Sequence, residues 1–204
     1  PMVPTILVIG SVVIFYSTVG GRWAVMATDF VQNLLIFGIT LLVAVLAFID
    51  IGGIGGFFSA ISESPEISRD FQWFQEPGHF ENDEFTLKWF VMAFLMTIWY
   101  QLGLQNSGRY LAAKTGEEAK KSSILSAILS LIGAVVWMVP PMIARLKYEA
   151  EVMALNVDKP AEASYTFIAE KLLPNGLMGI MFAAMFAATM SSMDSGLNNQ
   201  TGAI

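Results

Sequence analysis

Five long stretches almost free of charge dominate this chain: Met2 to Gly20, Ala24 to Phe48, Trp89 to Leu104, Ser122 to Ala144 and Leu173 to Met193. A helix needs roughly 20 mostly apolar residues to cross the hydrocarbon of a bilayer, so each stretch is a candidate crossing. Only 14% of the residues are charged, where a soluble domain carries about a quarter. The expected class is all-α, a polytopic membrane helix bundle with spans at 2–20, 24–48, 87–107, 122–145 and 173–196. The chain opens on Pro1 and closes at Ile204 shortly after the fifth stretch. It is therefore expected to be a fragment of a single transmembrane domain. Without cysteine, disulfides, thiol nucleophiles and cysteine-based zinc sites are excluded.

The charges predict an orientation. Arg109, Lys114, Lys120 and Lys121 lie between the third and fourth stretches, and Arg22 lies between the first and second. Short loops rich in Lys and Arg stay in the cytoplasm. The segment Ile51 to Phe85 instead carries Glu63, Glu66, Asp70, Glu76, Glu81, Asp83 and Glu84 against Arg69, and is expected outside, as is Lys147 to Leu172. Aromatic residues in these outer segments, Phe71, Trp73 and Phe74 in one and Tyr165 and Phe167 in the other, suit short helices lying on the outer surface.

Polar residues inside a span are costly and tend to face a cavity or one another, so they point to function. The second stretch opens with Thr28, Asp29, Gln32 and Asn33. Asp29 there is equally well a headgroup-level carboxylate. The fifth ends in AATMSSMDSGLNNQ, where helical spacing puts Ser191 beside Asp194 and Ser195, with Ala188 one turn behind Ser191 and Ser192. Hydroxyls, a carboxylate and a carbonyl loosened at Ala188 would replace the water shell of a small hard cation. Small residues also let helices pack closely, and an Asp at a helix end also caps or snorkels. The third stretch holds Gln101, Gly103, Gln105 and Asn106, a setting for a helix broken near the midplane to face solute. Amides joining neighbouring helices are the alternative.

Three segments then carry a resemblance. GGRWAVMATDFVQ resembles the GG-x-x-AV-x-x-TD-x-x-Q entry to core helix five of the sodium:solute symporter family, GRYLAAKTGEEAKKSS its cytoplasmic link between helices six and seven, and LLPNGLMGIMFAAMFAATMSSMDSGLNNQ its sodium-binding helix eight. The resemblance implies a LeuT-type transporter of two inverted five-helix repeats, with this chain covering the end of core helix four through core helix eight and lacking helix one. It implies Na+ as the coupling ion, Ala188, Ser191 and Ser192 at a first sodium site, and Asp29, Asp194 and Ser195 at a second. Asp194 departs from the hydroxyl found there in the sialic acid type.

For solute, aligning on LAAK puts Trp99 on the aromatic that stacks against sugar in sugar-transporting members. Met96 and Ser130 fall where sugar-contacting Asn and Lys stand, so two polar contacts are lost and galactose is not expected. Gln101 is the remaining solute-facing candidate. The implied function is sodium-coupled symport of a small solute (a sugar, carboxylate, amino acid or similar) by alternating access. The other reading is a nontransporting sensor or a channel on the same fold. The expected partners are that small molecule and the lipid bilayer, with no nucleic acid. The expected location is a multi-pass place in a bacterial inner membrane. An enzyme is not expected: the sole histidine, His79, lies in the outer acidic segment, and no GxSxG elbow occurs.

Overall fold

The computed structural model describes residues 2–63, 65–101 and 113–201, excepting the side chains at 2, 5, 16, 17, 21–25, 66, 81, 101 and 194–201. Every regular element among them is helical: α1 (Met2–Asp50), α2 (Gly53–Ser62), α3 (Pro65–Asp70), α4 (Leu87–Gln101), α5 (Gly116–Met153), α6 (Ser164–Leu172) and α7 (Leu177–Thr201), with short 3-10 turns at Glu81–Asp83 and Pro160–Ala163. By length and apolarity, Met26–Asp50 and Gly116–Met153 are long enough to cross a membrane, and Ile6–Gly20, Leu87–Tyr100 and Leu177–Met193 are shorter apolar helices.

Helix α1 runs without interruption over 49 residues, across the boundary that the sequence places between the spans 2–20 and 24–48. A straight helix of that length would reach about 70 Å, more than twice a hydrocarbon core. Its contacts show that the axis is not straight. Met181 and Ala184 of α7 share one buried cluster with Ile39, Val43 and Ala47 of α1. Nine residues further along α7, Met193 lies 3.6 Å from the position a Cβ on Gly10 would take. Nine residues of α7 rise about 14 Å, whereas Gly10 to Ile39 along a straight helix would span about 44 Å. The axis of α1 therefore folds back between Gly10 and Ile39, a stretch that contains the Gly20–Gly21 pair.

The end of α1 is sharp. Gly52 and Gly53 both adopt positive φ, 91° and 76°, a conformation open to glycine at little cost. A Cβ on Gly56 would collide with the carbonyl oxygen of Ile51. The chain then turns into α2, whose Phe57 meets Phe48 edge-on at 5.9 Å and Phe71 at 6.4 Å. Phe57 is buried, so these rings hold the segment that follows α1, residues 51–86, against its end. The segment continues around Gln75, which is buried: its backbone N–H donates to Phe85 at 3.0 Å and its Nε2 to the carbonyl of Arg69 at 2.9 Å. Phe74 packs on Phe90, and Phe85 on Trp89, fastening the same segment to the start of α4.

Helix α5 begins at an N-cap. The Thr115 hydroxyl accepts from the Glu118 N–H at 3.3 Å, and the Glu118 carboxylate reaches back to the Lys114 N–H at 3.2 Å. The sequence places the end of this crossing near Ala144 and 145, but the helix continues to Met153 past Pro140 and Pro141. Each proline removes one helical donor, and the packing of Val139, Ile143 and Ala144 in the buried cluster keeps the helix running. It leaves helical geometry at Tyr148, with φ −126° and ψ 19°. The core thus gathers at one end of the bundle, from the last turns of α1, α2, the second half of α5, α6 and the start of α7. The first half of α5 and nearly all of α4 are exposed.

Candidate functional site: a cation region along α1 and α7

Helix α7 follows a turn at Pro174 to Gly176, where Gly176 has φ 93°. Its first turns sit in the buried cluster beside Ile39 and Val43, and from there it runs along α1. Ser191 lies seven residues past Ala184, about 10 Å further down, and Asp29 lies ten residues before Ile39, about 15 Å down α1. Ser191 and Asp29 thus both lie beyond the buried cluster on two helices that pack together.

Asp29 is half-buried, and its Oδ1 is fully shielded with no hydrogen-bond partner. One turn further, the Oε1 of half-buried Gln32 is likewise shielded and without a partner. Two of the four such atoms among the described residues thus stand side by side on one helix face. A buried acceptor without a donor costs about 1–3 kcal/mol, and more when charged. Helix α7 contains no basic residue, and the one in α1, Arg22, stands seven residues from Asp29, about 10 Å along the axis. The arrangement calls for positive charge.

On α7, Ser191 is half-buried and Ser192 exposed. The Ser192 hydroxyl donates to the Ala188 carbonyl at 3.0 Å. That carbonyl, expected as a ligand if the helix is loosened at Ala188, thus accepts a side-chain hydroxyl within α7. Spending its proton on Ala188 leaves the lone pairs of Ser192 Oγ free to meet a cation. Asp194 and Ser195 belong to α7, but their side chains lie outside the described residues. Among the described residues no group of three or more His, Cys, Asp or Glu side chains is placed to hold a metal ion, and the oxygens offered here are those of hydroxyl, amide and carboxylate groups. Those are ligands for a hard monovalent ion rather than for zinc.

The solute candidates are dispersed. Trp99 and Met96 stand on α4, 79% and 67% exposed, and Ser130 is exposed on the first half of α5. Gln101 is the last residue of α4, its side chain outside the described residues, as are Gly103, Gln105 and Asn106. The described contacts do not join these residues into one pocket. Sequence reading named Gln32 as polar but gave it no role; its spacing of three from Asp29 was the available signal.

Comparison with known proteins fits this geometry. The model of the family described as "Sodium:solute symporter family" matches residues 2–204. The sodium/glucose cotransporter 2 of Rattus norvegicus is 29% identical, over 97% of this chain and 34% of its own. The sodium/myo-inositol cotransporter 2 of Oryctolagus cuniculus is 30% identical, over 93% and 31%. The sodium/glucose cotransporter of Vibrio parahaemolyticus is 28% identical, over 98% and 39%. No solved structure matches. The chain spans about a third of the length of these relatives. With the family model covering all but its first residue, the chain belongs to the sodium:solute symporter family.

Proposed function

We propose that the protein containing this chain couples sodium entry to uptake of a small polar solute by alternating access, with the coupling cation held between α1 and α7. The observation that carries the reading is the shielded, unpartnered Oδ1 of Asp29 on α1, with the Ser191 and Ser192 hydroxyls on the helix packed along it. Ala188, Ser191 and Ser192 form the first sodium site in this reading, and Asp29 with Asp194 and Ser195 the second. A cation at the second site would offset the repulsion between Asp29 and Asp194 and let both stay ionised.

The exposed faces of α4 and α5 carry the solute side. Trp99 offers a broad apolar face that covers a sugar-like ring, and Met96, Ser130 and Gln101 are the further solute candidates on these two helices. The relatives are named for glucose and myo-inositol, which favours a polyhydroxylated solute. Coupling follows if cation and solute jointly favour one conformation over the other. The test is uptake of labelled glucose and myo-inositol by the full-length protein in proteoliposomes under an inward sodium gradient. Gradient-dependent accumulation supports the reading; uptake that only equilibrates, with or without sodium, overturns it.

A further inference from the structure

We infer that Gln32 is a cation ligand, supplying through its amide oxygen the neutral partner to Asp29 in holding a monovalent cation on α1. This rests on the reading of Asp29 as part of the cation region. Three observations carry it. Gln32 Oε1 and Asp29 Oδ1 are both sealed from solvent, and both lack a hydrogen-bond donor. They stand three residues apart, so they project from the same face of one helix. The sequence of α7, packed along α1, holds no basic residue, and the one in α1 is Arg22, seven residues before Asp29.

A glutamine that joined helices through its oxygen would meet a donor there, and Gln32 Oε1 meets none. A pair made of one carboxylate and one amide oxygen carries a single negative charge. That single charge balances one monovalent cation. The amide thus adds an oxygen to the shell without adding charge.

The experiment measures binding of sodium-22 to the purified full-length protein, comparing Gln32→Leu, Gln32→Glu and Gln32→Asn with the native protein. Gln32→Leu keeps the bulk and removes the oxygen, and should raise the sodium Kd about fivefold or more, the size of one lost polar contact. Gln32→Glu keeps an oxygen in place and should bind within about twofold of native or tighter. If Gln32→Leu fails to reach the membrane, Gln32→Asn withdraws the oxygen by one methylene and should show the same weakening. A packing role predicts the reverse order, with Leu tolerated and Glu damaging, and that result overturns the inference. Asp29→Asn and Ser191→Ala run in parallel separate the two levels of the argument. If they weaken sodium binding and the Gln32 variants do not, the role of Gln32 fails alone. If none of them matters, the cation region itself fails.

Discussion

Arg145 of α5 donates to Asp70 at 3.0 Å across 75 residues of sequence, and the other oxygen of the same carboxylate lies 3.3 Å from the His79 ring. One acidic side chain at the end of α3 thus ties the folded outer segment to the second half of α5. Arg145 also pairs with Glu149 one turn on. The groups are partly exposed, so solvent screens them and each link contributes on the order of 1 kcal/mol. Asp70→Ala is expected to loosen residues 71–86 more than it lowers overall stability. Faster amide hydrogen exchange or proteolysis there, with Arg145→Ala giving the same effect and the double variant no more, would bear this out. Additive losses would show the two residues acting independently.

A second tie closes the end of α1. The Lys147 ammonium donates to the Asp50 carbonyl at 2.7 Å and sits 2.8 Å from its Oδ1, while the Tyr148 hydroxyl donates to Oδ2 at 2.8 Å. A cation on the last carbonyls of a helix satisfies orphan acceptors and complements the dipole. Tyr148 makes its bond from the point where α5 departs from helical geometry. Lys147→Met is expected to lower stability by about 1–2 kcal/mol, read as a reduced Tm of the full-length protein in detergent. An unchanged Tm would mean that Tyr148 alone holds the junction.

Tyr165 shows the opposite condition. Its ring stacks on Trp137 at 5.9 Å, but its hydroxyl is buried without a partner, and burial pushes the phenol up to about 12. Tyr165→Phe removes an unsatisfied group and should be neutral or stabilising by up to about 1 kcal/mol. The sign of the pH effect follows from a folded value above the ordinary 10. The contribution is fully present below pH 10 and fades as pH rises toward 12. Between those limits Tyr165→Phe should lose stability less steeply than the native protein in alkaline melts. A steeper loss would show that the hydroxyl has a partner.

The helical class was legible, because long uncharged runs are set by residue type alone. The turn between the first two runs was legible only as a Gly-Gly pair; that the axis folds back follows from the meeting of Met193 with Gly10, a tertiary fact. The passage of α5 through Pro140 and Pro141 was not legible, since proline normally ends a helix and packing decides the exception. At the candidate site, Ser191, Ser192 and Asp29 stood out because polar residues are rare in such runs. That Ser192 would spend its proton on Ala188, and that Gln32 would be left bare, depends on neighbours that sequence does not display.

The orientation also has a direct check. Lys114 beside the α5 cap and Trp73 in the outer segment are both exposed, Trp73 at 94%. Cysteine placed singly at each in the full-length protein, and probed on intact cells with an impermeant thiol reagent, should be labelled at Trp73 and protected at Lys114, in keeping with the cytoplasmic side of basic loops. Thr115 is left intact because it caps α5. Labelling at Lys114 with protection at Trp73 would invert the topology.

The cation region along α1 and α7 is tested most directly by sodium-22 binding to the purified full-length protein carrying Ser191→Ala, Ser192→Ala or both. Each hydroxyl lost is expected to raise the sodium Kd about fivefold, with the double variant weaker than either, as befits two oxygens contributing to one shell. Helix packing by small residues would leave the affinity untouched, since alanine packs as closely as serine. Native sodium affinity in a well-folded double variant would contradict the account.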